Sequence, residues 1–211
     1  GAAADCGNPR RGGAGRRSTE KYLFAGIVPA GRMYDLCKED LRINFHTMRT
    51  GIFYGSTTGM TESLAAKIAA RTGVAQTDVR NVADASADEA EGYDLLLLGS
   101  STWGCGELQD DWYDFLDALK RKALSGKRVA LFGCGDSASY PDSFCDALAE
   151  IRDGLEATGC TFVGALDAAE YDGCASRICR DGKVIGLAVD DGASEAVNDA
   201  RMEKWIAAVG F

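Results

Sequence analysis

The segment Tyr54-Gly55-Ser56-Thr57-Thr58-Gly59-Met60-Thr61 crowds hydroxyls into a turn. An apolar run, Ile52 to Tyr54, precedes it, and a helical pattern of Leu64, Ala65, Ile68 and Ala69 follows. A strand–turn–helix of this kind gathers N–H and O–H donors at the positive end of a helix, a place suited to an anion. No lysine or arginine lies in the loop, which excludes the G-x-x-x-x-G-K-[ST] nucleotide loop. Neutral donors suit a monophosphate that anchors a larger ligand better than a group being transferred. Hydroxyl-rich turns also cap helices without any ligand, so the loop alone leaves both readings open.

Two further stretches, Ser100-Ser101-Thr102-Trp103-Gly104 and Gly133-Cys134-Gly135-Asp136-Ser137-Ala138-Ser139-Tyr140, each follow an apolar run. Trp103 and Tyr140 offer large flat apolar faces. Tyr140 precedes Pro141 in a Gly/Ser-rich loop, a poor place for a core tyrosine. The single histidine, His46, lies ahead of these motifs. Ser-His-Asp and Cys-His nucleophile schemes and most transition-metal sites are thereby removed from the region that carries them. Eight cysteines are scattered with no C-x-x-C pair and no zinc spacing. Cys145 and Cys160 sit in apolar contexts and read as small core residues; reduced thiols are the default, with a metal or disulfide role for Cys174 and Cys179 as the lesser alternative. Any chemistry must come mainly from a bound cofactor.

The elements that must position these residues are legible from periodicity. Continuous apolar runs at 51–54, 95–99 and 129–133 read as buried parallel strands. A weaker edge strand is expected over 77–82, and a fifth strand in two pieces over 161–166 and 184–189. Helical patterns cover 62–71, 110–122, 144–158 and 196–209, with a short one near 87–91. Strands alternating with helices imply a doubly wound α/β sheet with right-handed crossovers. The three motifs then follow the first, third and fourth strands and converge at one edge.

The chain has 211 residues, 46% of them hydrophobic, with no apolar run long enough to span a bilayer, which fits one domain with a real core plus an addition. Residues 1–47 carry eight basic and five acidic side chains, or +3; the whole chain is −9, leaving −12 for residues 48–211. Such asymmetry separates the two parts in role or origin. Residues 1–47 read as an N-terminal extension, disordered or artefactual, with a targeting segment or docking arm as alternatives. The acidic remainder opposes nucleic-acid binding and favours partners with basic faces.

Taken together and in this order, the three motifs resemble those of flavodoxins, small FMN-binding electron carriers, over about residues 48–211. Residues 181–190 resemble the long-chain branch, whose last strand is split by an insertion; Cys174 and Cys179 fall within that insertion. The resemblance implies a five-stranded parallel sheet of order 2-1-3-4-5 with helices on both faces and FMN at the switch point. It implies that Ser56, Thr57, Thr58, Gly59, Met60 and Thr61 hold the phosphate, although the family commonly has asparagine where Met60 stands. Ser101, Thr102, Trp103, Gly104, Cys105 and Gly106 would lie on one side of the flavin, and Cys134, Gly135, Asp136, Tyr140 and Phe144 on the other. Trp103 and Tyr140 would flank the ring, and Gly104 would let a peptide carbonyl turn toward flavin N5. Asp136 and the backbone of residues 134–139 would meet the pyrimidine edge. Glu107, Asp110, Asp111, Asp114, Asp142 and Asp146 would form an acidic surround that lowers the second reduction potential. The implied function is a low-potential one-electron carrier cycling between semiquinone and hydroquinone, not an enzyme, monomeric and cytoplasmic, working between redox enzymes. The alternative is an FMN-dependent NAD(P)H:quinone reductase of similar fold.

Overall fold

The computed structural model describes residues 48–171 and 174–211; the extension assigned to residues 1–47 lies outside them, as does His46. In chain order the regular elements are β1 (Thr50–Gly55), α1 (Met60–Thr72), β2 (Val79–Asn81), α2 (Ala87–Ala90), β3 (Leu95–Trp103) and β4 (Glu107–Leu108). Next come α3 (Trp112–Leu119), β5 (Arg128–Gly135), α4 (Ala147–Leu155) and β6 (Thr161–Val163). The last are β7 (Leu166–Asp167), β8 (Cys179–Arg180), β9 (Lys183–Val184), β10 (Leu187–Asp190) and α5 (Glu195–Val209).

The main sheet runs β2-β1-β3-β5 in parallel, and both β6 and β10 pair with the outer edge of β5. Counting β5 as fourth and the two pieces as a divided fifth, this is the expected order. The uninterrupted runs explain the central position of β3 and β5: Leu95–Leu98 and Val129–Phe132 have no exposed face, which requires helices on both sides. On one side α1 and α5 border a common cleft; elsewhere α3 packs against both α2 and α4.

The division of the fifth strand falls differently from expectation. Thr161–Val163 pairs with Arg128–Ala130, and Leu187–Asp190 with Phe132–Gly135. Leu166 and Val184, assigned to the strand from sequence, instead pair with each other in a separate antiparallel sheet, β7-β9-β8. Gly164 forces the break: its φ is +78°, and a Cβ there would lie 2.7 Å from Val209 Cγ2. The helix expected over 144–158 begins only at Ala147, because Cys145 has φ +54°, which an α-helix does not accommodate. A 3₁₀ turn at Gln76–Asp78 shortens the second strand to Val79–Asn81.

Candidate functional site

The loop after β1 is braced from below. Gly55 leaves no room for a side chain, since a Cβ would lie 2.4 Å from Gln109 Oε1 and 2.5 Å from Trp112 Cδ1. Gln109 is buried and donates from Nε2 to Asp111 Oδ2 (2.7 Å) and Thr57 Oγ1 (3.4 Å), while its Oε1 accepts from Asp111 N–H (3.2 Å). Trp112 Nε1 donates to Gly99 O at 2.8 Å, which ties this brace to β3. Neither Gln109 nor Trp112 was singled out from sequence as a support for this loop; no local pattern marks a side chain that acts on a loop about fifty positions earlier in the chain.

The loop leaves donors without partners. Ser56 Oγ accepts from Gly59 N–H at 3.1 Å, and Gly59, with φ +84°, enters α1 with no side-chain cap. The first-turn N–H groups therefore meet no capping side chain at the positive end of a 13-residue helix. Thr61, in that first turn, is wholly buried and its Oγ1 has no hydrogen-bond partner. The Cys134 thiol is close enough to feel the Thr61 hydroxyl, but the two do not meet hydrogen-bond geometry. A buried hydroxyl without a partner costs about 1–3 kcal/mol, which a phosphate oxygen would remove. Thr57 and Thr58 are exposed at the loop tip, and Met60 is exposed at the first helical position.

β3 runs past its apolar stretch into Ser100–Trp103 and turns back through β4 as a hairpin. Trp103 is 44% exposed, and its Nε1 donates to Ser101 Oγ at 3.1 Å. Gly106 N–H closes the turn on Trp103 O at 3.1 Å. Gly104, with φ +51°, has the Glu107 carboxylate where a side chain would stand, Oε2 lying 2.8 Å from an ideal Cβ. Cys105 at the tip is exposed and unbonded. Thr102 Oγ1 accepts from Ala147 N–H at 3.4 Å.

After β5, Asp136 shapes its own loop. Its Oδ1 accepts from Ala138 and Ser139 N–H, both at 3.0 Å, and the Ser139 side chain, followed by these backbone bonds, holds its carboxyl below the usual range. Its Oδ1 is thus engaged within the loop. Ser137 is fixed by Asp190 at the end of β10, through Oγ to Oδ2 at 2.6 Å and N–H to Oδ1 at 3.2 Å. Asp190 was not foreseen, because its contribution depends on β10 pairing beside β5. Tyr140 is 61% exposed.

Three expected positions are interior. Phe144 is 4% exposed, with its ring against Gly135, so it supports the loop from within. Cys134 is buried, its side chain borders the α1–α5 cleft, and burial pushes its thiol up to about 12. Asp146, read as part of a solvated acidic face, is 4% exposed and accepts Arg177 N–H at 2.7 Å; burial raises its carboxyl. The cysteine expectation also changes: Cys174 and Cys179 form a disulfide, with Cα atoms 6.3 Å apart.

Because β1, β3 and β5 are neighbours in the sheet, the three loops leave it at the same carboxyl edge. One supplies uncapped helical N–H groups and the Thr61 hydroxyl; the other two each carry an exposed aromatic. This set fits a flat heteroaromatic ring on a chain that ends in one phosphate. The cleft between α1 and α5, ≈ 610 Å³, flanks the phosphate loop and is bordered by Glu62, Asp190, Asp191, Glu195 and Asp199. Burial, then Asp136 and Asp190, raise the Asp191 carboxyl. Glu195 and Asp199 are paired with Lys67 and Arg71, so Glu62, Asp190 and Asp191 carry the negative charge of this cleft.

Comparison with known proteins agrees with this arrangement. The family model described as Flavodoxin matches residues 52–205. Flavodoxin 1 of Salmonella typhimurium is 46% identical over 158 residues, covering 74% of this chain and 90% of that protein. Flavodoxin of Synechocystis is 35% identical over 162 residues, covering 76% and 95%. Among solved structures, Fusobacterium nucleatum flavodoxin bound to flavin mononucleotide aligns with a TM-score of 0.67 and 29% identity, covering 76% of this chain and 96% of that one.

Proposed function

Since this chain belongs to the flavodoxin family, we propose that residues 48–211 hold one FMN without a covalent bond and carry electrons singly between redox enzymes. The observation that carries the proposal is the wholly buried Thr61 hydroxyl without a partner, at an uncapped helix start on the same sheet edge as two exposed aromatics. When bound, FMN supplies two one-electron reduction steps.

The protein's own residues anchor, flank and bias it. The N–H groups from Ser56 to Thr61, with the Ser56, Thr57, Thr58 and Thr61 hydroxyls, would receive the phosphate. Trp103 and Tyr140 would cover the ring faces and keep water from them. Ser101, Thr102, Gly104, Cys105 and Gly106 would form one wall, and the backbone of Cys134–Ser139 the other. Phe144 would act from behind Gly135. The negative charge would make each added electron harder to accept; about 3 kcal/mol of repulsion corresponds to about 130 mV for one electron. That charge also favours redox partners with basic faces, and a cytoplasmic monomer belongs to the same reading. Among the described residues, no helix is long and apolar enough to cross a membrane.

Stepwise dithionite titration of the FMN-loaded protein, followed by visible absorption, tests this. Two resolved one-electron steps are expected. Direct two-electron reduction driven by NADH or NADPH alone would instead make the protein a quinone reductase.

A further inference from the structure

The insertion between β6 and β10 touches the cofactor loops through a small covalent ring. The Cys174–Cys179 disulfide encloses Ala175, Ser176, Arg177 and Ile178. The last three each make a docking contact. Ser176 Oγ donates to Phe144 O at 2.8 Å, Arg177 N–H donates to Asp146 Oδ1 at 2.7 Å, and Ile178 is wholly buried. Beside the ring, the Arg177 and Arg180 guanidiniums both grip Asp153 of α4.

Asp146 passes this contact on to the hairpin that carries Trp103. A Cβ on Gly106 would lie 2.9 Å from Asp146 Cβ, so the Gly106 backbone lies directly against the Asp146 side chain. Ala147, the next residue, donates its N–H to Thr102 Oγ1. Gly106 in turn holds Trp103 O. A continuous series of contacts thus leads from the disulfide through Arg177, Asp146 and Gly106 to Trp103. The four other described cysteines, Cys105, Cys134, Cys145 and Cys160, form no disulfide.

We propose that the Cys174–Cys179 disulfide is a redox-sensitive clasp that sets the Trp103–Gly106 turn, with Asp146 as the positioning residue between them. Both cysteines are half-buried rather than sealed in the core, so a small dithiol can reach them. In the exchange, a dithiol's thiolate attacks one sulfur and its second thiolate then releases the mixed disulfide. Two electrons and two protons pass to the Cys174 and Cys179 sulfurs, giving two thiols, and the reductant leaves as its own disulfide. Opening the ring restores conformational freedom to residues 175–178. The Arg177 N–H is then no longer pinned to Asp146, and Gly106 loses its backing. In a reducing compartment, disulfides are usually transient or sensing, which suits this use.

The test is amide hydrogen exchange on the full chain, with and without FMN, before and after dithiol treatment and in the double variant Cys174→Ser/Cys179→Ser. The Gly106 N–H should exchange about tenfold faster in the reduced and double-serine proteins, while Leu97 in the centre of β3 keeps its protection. Asp146→Asn, which keeps an acceptor for Arg177 N–H, should stay closer to the parent than Asp146→Ala. In the FMN-loaded protein the interval between the two one-electron potentials should change along with Gly106 exchange, which a support role confined to the insertion would not produce. Unchanged Gly106 exchange alongside a loosened 174–179 segment would refute the proposal. So would alkylation of Cys174 and Cys179 in protein never exposed to reductant. The FMN-free readout involves no flavin chemistry, so its failure leaves the electron-carrier reading intact, and the converse holds.

Discussion

Replacing Thr61 with valine exchanges a γ-oxygen for a methyl of similar size at a wholly buried side chain. Thr61 Oγ1 has no partner in the protein, so the FMN-free state bears the full desolvation cost of that oxygen, about 1–3 kcal/mol. Threonine and valine differ little in helix propensity, so the first turn of α1 should not suffer. The FMN-free variant should therefore gain about 1 kcal/mol or more, or roughly 2–4 °C in Tm for a domain of this size. FMN affinity should move the other way. A hydrogen bond to a charged phosphate is worth about 1.5–3 kcal/mol, so its loss should raise Kd by about 10- to 150-fold. Urea unfolding of the FMN-free protein reads the first effect, and quenching of FMN fluorescence on titration reads the second. Opposite signs from one substitution are the signature of a site built for a ligand. A less stable FMN-free variant with unchanged FMN affinity would show that Thr61 is an ordinary helix-start residue and refute the reasoning.

Gln109→Glu would bury a carboxylate against Asp111, 2.7 Å from the present nitrogen, and should cost about 2 kcal/mol or more at pH 7, with part recovered on acidification as the pair takes up a proton; urea midpoints at two pH values check it. Asp153→Asn tests a group whose carboxyl is held low, first by its bond to Arg180. The wild-type advantage, about 0.5–1 kcal/mol at this partly exposed site, should be full above the ordinary carboxylate value and vanish as pH falls through the depressed folded one. Gly104→Val forces a β-branched residue to φ +51° and should destabilise the FMN-free protein by about 1–2 kcal/mol in chemical denaturation. Electron transfer to a partner with a basic face should slow as salt rises, given the −12 charge of residues 48–211; stopped-flow rates that rise with salt would mean the partner's face is acidic.

The centre of the fold was readable because it is governed by local pattern. Leu95–Leu98 and Val129–Phe132 are apolar without alternation, and only a strand covered on both faces uses such a run. The phosphate loop was readable for the same reason, since strand, hydroxyls and helix are contiguous. What escaped was non-local. Leu166 and Val184 look like halves of one strand, yet they pair with each other, because Gly164 turns the chain away from the sheet. Asp146 looks like one more surface acid and becomes interior only because the insertion folds over it. Gln109 and Asp190 act on loops far away in sequence, so no window around either reveals its part. The disulfide likewise follows no recognisable cysteine spacing, since it joins Cys174, outside any strand, to Cys179 at the start of β8.

The two pieces of the fifth strand meet β5 at Ala130 and Phe132, with Leu131 alone between them, and the Gly186 backbone lies against the Leu131 carbonyl. Residues 164–186 thus leave and re-enter the sheet across a gap of a single rung, which makes them a module in the engineering sense. A graft at its exposed Asp181–Gly182 turn would leave that ladder intact, while Leu166, Tyr171, Ile178 and Val184 keep the segment seated in the core. The phosphate anchor at α1 belongs to the other half of the sheet, so a change at that turn reaches the cofactor site through the Arg177–Asp146–Gly106 contacts and not through the phosphate loop.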